Sequence, residues 1–357
     1  MKKSKKKILL VQNMILPYRV PIYNLLNQDF ELTVAYSLGQ APEMEVDFKM
    51  VKLPVFKISR FVIHKNSLFD YSKNFDVVIG MSDISWLSIM GLSFRKKRKF
   101  KTILWGIGVR ASYDTKFGEI TFWDKVRHFL TRKADALLFY SSYPLKRYLK
   151  NGFKENKLFV ANNTVMVNSD FKTVPKKHIL FIGTLYKQKN IYALLNSYLE
   201  AFLYNKNLPQ LILIGDGDEY QNILEWIEQN QLTNKIFLKG KIFDEKILSS
   251  YFSGALACIS PGQAGLSVLK SMGYGVPFIT QRSAITGGEI LNIKDGVNGV
   301  LFDDDIELKN IILDIADNKN KFIQMGKEAK TYYDLCRKPT DMVKGMASAI
   351  NYVLSNN

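Results

Sequence analysis

The sequence predicts an α/β protein built from two doubly wound, Rossmann-like domains with parallel sheets. A chain of 357 residues is too long for one comfortable core and suits two domains of about 150 to 180 residues. Short apolar, β-branched runs alternate with helix-length segments in both halves, which is typical of parallel strands joined by crossover helices. Apolar residues form 47% of the chain, which is enough hydrophobic material to fill two cores.

The predicted N-terminal domain covers residues 1–166 and the predicted C-terminal domain covers residues 167–338. The strands predicted for the first are residues 7–12, 31–36, 75–80, 101–106, 135–141 and 157–161. The strands predicted for the second are residues 178–183, 210–215, 235–239, 255–260 and 276–280. After the last strand, glycines indicate looping backbone, namely Gly287, Gly288, Gly296 and Gly299.

Two further segments complete the organisation. Residues 165–177 lack periodicity and contain turn-forming polar residues and a proline, so they predict an interdomain linker. Residues 340–353 have a helical pattern that begins after Pro339. Residues 339–357 are therefore predicted to form a C-terminal helix, which is a candidate to pack back on the N-terminal domain.

The cysteines and histidines do not predict a metal site. Cys258 lies inside an apolar run, and Cys336 is remote from it in sequence, so we expect a buried free thiol and no disulfide or zinc. This fits a reducing cytosol. The three histidines are scattered and are expected to be structural or surface residues: His64, His128 and His178. Asp216 and Asp218 have the spacing of a metal-binding pair, but we expect Asp218 to cap a helix instead.

The charge predicts an anionic partner. There are 50 basic and 33 acidic residues, for a net charge of +17. Anionic lipid headgroups, nucleic acid and diphosphate-bearing substrates are the candidates, and a lysine-rich surface with no single partner is the alternative. No helix-turn-helix, zinc or aromatic RNA-binding motif is recognisable, so nucleic acid is disfavoured. No segment approaches the about 20 apolar residues of a membrane span, and the apolar strand after the basic start is too short for a signal peptide.

Two strand-to-helix turns are candidate anion sites, because ligands of doubly wound sheets collect beyond the carboxyl ends of the strands. In the first, a strand ends at Gly183, and Lys187 and Lys189 precede a helix. A lysine here would neutralise a diphosphate, unless it is simply solvated. In the second, Gly265 precedes a helix whose first amides belong to Leu266 and Ser267. An anion suits that helix end, and a tight turn with close packing is the alternative.

In order and spacing, these turns resemble the family-four (group 1) retaining glycosyltransferases. The similar segments of the C-terminal half are residues 183–190, 213–217, 236–240, 260–277, 288–290 and 295–299. Those of the N-terminal half are residues 16–21, 104–106, 135–141 and 162–164. The resemblance covers about the whole chain. It implies a GT-B fold whose two domains face a cleft, with the donor nucleotide held by the C-terminal domain and the acceptor by the N-terminal domain.

The resemblance also implies site residues. Those matched to the donor diphosphate and sugar are Gly183, Thr184, Lys187, Lys189, Gly262, Gly265, Leu266 and Ser267. Those matched to the nucleoside are Gly240, Lys241, Ile242 and Lys270. On the acceptor side the candidates are Tyr18, Arg19 and Trp105, with simple packing of the turn as the alternative for the first two.

The chain departs from the family pattern at four positions. Gly262 and Lys270 stand where relatives usually carry two glutamates. Thr184 replaces an arginine, and Ile107 replaces a histidine that often follows Trp-Gly. No catalytic acid or base is inherited, so the catalytic residues are unknown. A retaining transferase tolerates this, because a phosphate oxygen of the leaving diphosphate is thought to take the acceptor proton.

The expected function follows from the resemblance. It is retaining transfer of a UDP-linked hexose or N-acetylhexosamine to a glycan, expected to be lipid-diphosphate-linked, in bacterial O-antigen, capsule or exopolysaccharide synthesis, with no metal or other cofactor. The protein is expected in the cytoplasm, peripheral on the inner membrane face. Basic residues for that contact are residues 2–7 and 95–101 with Lys146, Arg147 and Lys150. The open alternatives are a GDP-sugar transferase, an inactive GT-B paralogue, a nucleotide-sugar epimerase and a basic nucleic-acid-binding protein.

Overall fold

The computed structural model describes residues 4–65, 68–111, 116–168 and 174–356. These fall into two compact units, the first formed within residues 1–111, 118–163 and 339–357 and the second within residues 112–117 and 164–338. Part of the predicted linker, residues 169–173, lies outside the described residues, as do Lys2 and Lys3 of the basic start.

The first unit contains a seven-stranded parallel sheet of order β3-β2-β1-β6-β7-β8-β9 and a separate antiparallel pair, β4-β5. Its strands are β1 (Lys7–Gln12), β2 (Glu31–Tyr36), β3 (Lys49–Lys52), β4 (Val55–Ile58), β5 (Phe61–His64), β6 (Val77–Met81), β7 (Lys101–Gly106), β8 (Ala136–Phe139) and β9 (Leu158–Val160). The helices before residue 163 are α1 (Val20–Asp29), α2 (Leu68–Ser72), α3 (Leu87–Leu92), α4 (Phe122–Thr131) and α5 (Leu145–Lys150).

Burial explains which strands the sequence predicted. The central strand β1 is buried at Ile8, Leu9, Leu10 and Val11, as expected of a parallel strand covered on both faces. By contrast, β3 is a largely exposed edge strand rich in lysine, so it carries no apolar run and was not predicted. The hairpin β4-β5 was also missed, although both of its strands are apolar in sequence; it lies outside the seven-stranded sheet, and three of the four residues of β4 are exposed.

The second unit contains a six-stranded parallel sheet of order β12-β11-β10-β13-β15-β17 and a short pair, β14-β16. Its strands are β10 (His178–Ile182), β11 (Gln210–Ile214), β12 (Ile236–Leu238), β13 (Ala255–Ile259), β14 (Gln263–Ala264), β15 (Phe278–Gln281), β16 (Ile285–Thr286) and β17 (Gly299–Phe302). The remaining helices of the chain are α6 (Ile191–Tyr204), α7 (Tyr220–Gln229), α8 (Glu245–Ser253), α9 (Leu266–Gly273), α10 (Asp305–Asp317), α11 (Lys319–Cys336) and α12 (Pro339–Ser355).

The prediction of looping backbone at Gly299 was wrong. This glycine begins β17, which pairs in parallel with β15 through Phe278. A Cβ at residue 299 would lie 2.5 Å from the carbonyl oxygen of Phe278. The glycine therefore permits close strand pairing rather than ending the sheet.

The C-terminal helix α12 belongs to the first unit. Its buried residues Met342, Met346 and Ile350 join the same core cluster as Ile8 and Leu10 of β1. The approach is close, because a Cβ on Gly345 would lie 2.2 Å from the carbonyl oxygen of Val160 in β9. None of the helices that the structure describes has the length and apolar content that crossing a bilayer requires.

The cysteines and histidines are interior groups. Cys258 is buried and free, as predicted, and burial raises the pKa of its thiol to about 12. Cys336 is also free. All three histidines are buried, and the ring of His64 is held by hydroxyl groups of Ser37 and Ser88. A structural role explains them.

Candidate functional site

Two glycine turns meet at the carboxyl edge of the second unit's sheet, after β10 and β11. The amide of Gly183 donates to the carbonyl oxygen of Ile214 at 3.0 Å. A Cβ on Gly215 would lie 1.9 Å from the carbonyl oxygen of Gly183, and one on Gly217 would lie 2.3 Å from that of Leu185. Both glycines also have positive φ, 158° and 152°. Only glycine fits where the two turns pack backbone against backbone.

A cavity of about 380 Å³ opens at these turns. Its lining residues are Ile182, Gly183, Thr184, Ile214, Gly215, Asp216, Gly217, Lys241, Ile242 and Phe243. The structure therefore brings together four residues that the resemblance assigned separately to the diphosphate and the nucleoside: Gly183, Thr184, Lys241 and Ile242. Gly240 adjoins them, and its carbonyl oxygen accepts from the amide of Gly215 at 2.9 Å.

Phe243 is the lining residue that the sequence did not single out. Its side chain is 79% exposed, and the ammonium of Lys241 lies 4.7 Å from its ring centroid. An exposed aromatic residue in a loop belongs to no periodic pattern, so only the folded position reveals that it edges a cavity. The sequence did contain the signal that Phe243 directly follows the predicted nucleoside loop.

Lys189 is a buried ammonium beside the first turn. It ends a short 3-10 helix, Lys187–Lys189, and is only 8% exposed. Its Nζ atom would lie 3.1 Å from a Cβ placed on Gly183. Burial lowers the pKa of Lys189, and within the described part of the chain its ammonium forms no ion pair or hydrogen bond. A buried cation without a counter-ion suits an anionic ligand. Lys187 is exposed.

The position of Gly262 explains the first missing glutamate. The amide of Gly262 donates to the carbonyl oxygen of Lys189 at 3.0 Å. A Cβ on Gly262 would lie 2.4 Å from the carbonyl oxygen of Gln188 and 2.8 Å from the carbonyl carbon of Lys189. The turn that carries Lys189 therefore fills the space that a side chain at residue 262 would need.

The start of α9 is sterically open. A Cβ on Gly265 would meet no atom within 4 Å, so close packing does not require this glycine. Leu266 and Ser267, in the first turn of α9, are partly exposed. The sequence left two interpretations of this turn, an anion site and close packing. No contact at Gly265 supports close packing.

At residue 270, the position of the second missing glutamate, another helix places a carboxylate next to the side chain. Lys270 of α9 forms an ion pair with Glu245 of α8, with 2.7 Å between Nζ and Oε2. The hydroxyl of Tyr274 donates to the other carboxylate oxygen at 2.5 Å. The charge at residue 270 is thus reversed relative to the family pattern, but Glu245 places a carboxylate beside it.

The prediction that Asp218 caps a helix was wrong. Helix α7 begins at Tyr220, and Glu219 stands at its N-cap without a side-chain hydrogen bond. Asp216 instead accepts from the amide of Gly217, its own neighbour, at 2.8 Å. Among the residues that the structure describes, no group of three or more histidine, cysteine or acidic side chains is arranged to hold a metal ion.

The predicted acceptor residues share a second cavity, which belongs to the first unit. It measures about 400 Å³ and lies beyond the carboxyl ends of β1, β6 and β7. Arg19 is 6% exposed there, with its guanidinium carbon 5.1 Å from the ring centroid of Tyr18, 5.3 Å from that of Trp105 and 5.1 Å from that of Tyr140. Tyr140 was not predicted, although it directly follows β8.

Residues 176–318 match the protein family described as Glycosyl transferases group 1. An uncharacterized glycosyltransferase of Methanocaldococcus jannaschii is 25% identical over 293 residues, 73% of this chain and 71% of that protein. An uncharacterized 41.2 kDa protein from the cps region of Klebsiella pneumoniae is 26% identical over 268 residues, 70% of each chain.

The fold is similar to that of Anabaena HepE, whose crystal structure contains UDP and glucose. The TM-score is 0.71 at 14% identity, covering 97% of this chain and 99% of HepE. The two parallel-sheet units thus have the GT-B fold that the sequence predicted.

Proposed function

We propose that this chain, a glycosyltransferase of GT-B fold whose residues 176–318 match the group 1 family, transfers a sugar from UDP to a glycan with retention of configuration. The donor is a UDP-linked hexose or N-acetylhexosamine, and the product is a bacterial surface polysaccharide. The observation that carries the proposal is the buried, unpaired Lys189 beside the glycine turns of the 380 Å³ cavity. The UDP in Anabaena HepE supports the nucleotide, and the Klebsiella relative supports the polysaccharide.

The proposed chemistry needs charge stabilisation rather than a protein base. The bond between the anomeric carbon and the diphosphate oxygen breaks, and the acceptor oxygen bonds to the same face of that carbon. The acceptor proton passes to the departing phosphate oxygen. Lys189 and the open amides of Leu266 and Ser267 stabilise the negative charge that develops there. On this proposal, transfer proceeds in the presence of EDTA, because the protein groups supply the positive charge.

The direct test is a panel of UDP-, GDP-, CMP- and dTDP-sugars, with the thermal stability of the protein as the readout. At 100 times its dissociation constant, a ligand adds about 2.7 kcal/mol of stability. Selective stabilisation by UDP-sugars is expected. Selective stabilisation by GDP-sugars would show that the donor is a GDP-sugar and not a UDP-sugar. No response to any nucleotide, with no hydrolysis or transfer by folded protein, would favour an inactive paralogue, and isomerisation without an acceptor would indicate an epimerase.

Replacing Phe243 with alanine is expected to weaken UDP binding about tenfold while leaving pyrophosphate binding unchanged. The exposed ring edges the donor cavity, and stacking of a base on an aromatic side chain contributes about 1 to 3 kcal/mol. Calorimetric titration with UDP and with pyrophosphate measures both. Tyr204→Ala, at an equally exposed aromatic residue of the same unit, is the matched control. Equal UDP affinity in wild type and Phe243→Ala would exclude stacking.

We further propose that the acceptor is lipid-diphosphate-linked and that the protein works in the cytoplasm, on the inner face of the membrane. The basic loop of residues 95–99 is largely exposed and adjoins Phe94. The ring of Phe94 lies 5.9 Å from that of Phe129 on α4. Phe129 is 68% exposed and Phe122, seven residues earlier on the same helix, is 71% exposed. Cationic and aromatic side chains together suit an anionic bilayer surface. Arg147 does not add to this surface, because it donates to the carbonyl oxygen of Gly118.

Replacing both Phe122 and Phe129 with serine is expected to lower binding to anionic vesicles at least tenfold. Each variant side chain loses the free energy of burying a ring in the bilayer surface, which is up to about 1.5 to 3 kcal/mol. Co-sedimentation with phosphatidylglycerol vesicles at low and high salt is the measurement. Tyr204→Ser, an exposed aromatic residue of the second unit, serves as the control. Wild-type protein that stays wholly in solution at low salt would overturn the membrane proposal.

A further inference from the structure

The cavity of the first unit presents hydrogen-bond donors in excess of acceptors. Gln12 and Trp105 both line it, at the ends of β1 and β7. The side-chain atoms Nε2 of Gln12 and Nε1 of Trp105 are buried, and neither has a hydrogen-bond partner. A buried N–H group without an acceptor destabilises a protein by about 1 to 3 kcal/mol. Two such groups beside one cavity call for acceptor oxygens from water or from a ligand.

The cavity also contains a buried positive charge that no carboxylate neutralises. The guanidinium of Arg19 donates to the amide oxygen of Asn163 at 2.8 Å and to the sulfur of Met342 at 3.2 Å. Its other close groups are tyrosine and tryptophan rings, so its partners within the described chain are neutral. Because a guanidinium has five N–H donors, Arg19 keeps donors in reserve.

The remaining charged residues of the lining do not cancel this charge. Arg127 is paired with Asp124 of the same helix, 2.6 Å away. Arg110 adds a further cation to the lining. The acidic lining residue is Asp83, which is exposed, accepts from the amide and hydroxyl of Ser85, and forms no ion pair with Arg19. Water would satisfy the free N–H groups of the cavity but would leave the buried charge unneutralised.

We propose that this cavity binds an oxyanion, a carboxylate or a phosphate group, carried by the acceptor glycan. The inference deepens the proposed function by giving the acceptor a chemical class. It rests on that function, because the ligand is an acceptor only if the protein is a transferase. Two sources share this chemistry: a carboxylate on an acidic sugar of the glycan, and a phosphate, either on a sugar or in the lipid diphosphate proposed above. The bidentate geometry of a guanidinium matches both.

The experiment compares three probes at equal concentration: methyl glucuronide, glucose 6-phosphate and the neutral methyl glucoside. UDP is present at saturation, so that the donor site does not contribute to the response. Thermal stabilisation by one or both anionic probes, with no response to methyl glucoside, is the expected result. A carboxylate source and a phosphate source are distinguished by which anionic probe acts. Equal responses to all three probes, or none, would overturn the proposal.

Two conservative variants localise the response. Trp105→Phe keeps the aromatic ring and removes the unpaired N–H, and Gln12→Leu removes the other unpaired donor. Because Nε2 of Gln12 has no protein partner, Gln12→Leu is expected to unfold at the wild-type temperature or above it. Trp105→Phe also gives up buried ring volume, so it is expected to unfold at a lower temperature. Compared with its own stability without the probe, each variant is expected to bind the anionic probe about tenfold more weakly. Tyr204→Ala, at an exposed residue that lines neither cavity, is expected to keep the wild-type anion response. An unchanged response in both Trp105→Phe and Gln12→Leu would place the anion elsewhere. Since UDP binding is read separately, failure here leaves the donor proposal standing.

Discussion

Replacing Lys189 with alanine is expected to remove at least about half of the stabilisation that UDP gives the protein. The ammonium is 8% exposed, lies beside Gly183 and forms no ion pair within the described residues. Hydrogen bonds to charged groups contribute about 1.5 to 3 kcal/mol, so the affinity for UDP falls tenfold or more. A tenfold loss lowers the stabilisation at an unchanged UDP concentration from about 2.7 to about 1.4 kcal/mol.

The matched control is Lys187→Ala, at the exposed lysine two residues earlier. It is expected to change UDP binding far less, because solvent screens an exposed charge. Thermal denaturation of both variants with and without UDP measures the difference. If both variants lost the same amount of UDP stabilisation, the turn would act through its overall positive charge, and burial of Lys189 would make no difference to UDP binding.

Lys189 also gives UDP binding a pH dependence whose sign is fixed. Burial lowers the pKa of Lys189 in the free protein, and a bound diphosphate favours the charged form and raises that pKa again. Binding therefore takes up a proton wherever the free lysine is partly neutral. The affinity for UDP falls as the pH rises through the lowered pKa, and Lys189→Ala removes this component.

Strands with a continuous apolar run could be predicted from the sequence. Strands that are recognisable only by their hydrogen bonds to a neighbouring strand were missed. The strands β1, β2 and β7 have the predicted bounds because their interior residues are buried on both faces. The edge strand β3 is largely polar, and β17 begins with a glycine, which reads as a loop in a linear pattern. Its role depends on the carbonyl oxygen of Phe278, a neighbour that only the fold supplies.

The candidate site divides in the same way. Glycine turns and lysines are local features, so residues such as Gly183 and Lys189 can be picked out from spacing. Phe243 and Tyr140 directly follow predicted segments, but adjacency alone does not show that their side chains line a cavity, because the other lining residues are distant in sequence. Glu245 has no local signal at all. The ion pair between Glu245 and Lys270 is the sharpest case, because residue 270 alone indicates that a carboxylate is lost.

Restoring the family glutamate with Gly262→Glu is expected to destabilise the protein rather than to improve donor binding. Any Cβ at this position would lie 2.4 Å from the carbonyl oxygen of Gln188, which is backbone and cannot rotate away. Overpacking that forces the backbone to shift typically destabilises a protein by about 1 to 3 kcal/mol. The segment that shifts is the turn of Lys189, so weaker UDP binding is expected to accompany the loss of stability.

Gly262→Ala and Gly265→Ala separate this steric effect from the added charge. Gly262→Ala introduces the clashing Cβ without a carboxylate, and it is expected to give most of the destabilisation seen with Gly262→Glu. A Cβ at residue 265 meets nothing within 4 Å, so Gly265→Ala is expected to unfold at nearly the wild-type denaturant concentration. Guanidinium unfolding of the three variants measures the effect. A Gly262→Glu protein with wild-type stability and tighter UDP binding would show that the turn of residues 187–189 yields to a side chain. The missing glutamate would then be a simple loss that the fold does not require.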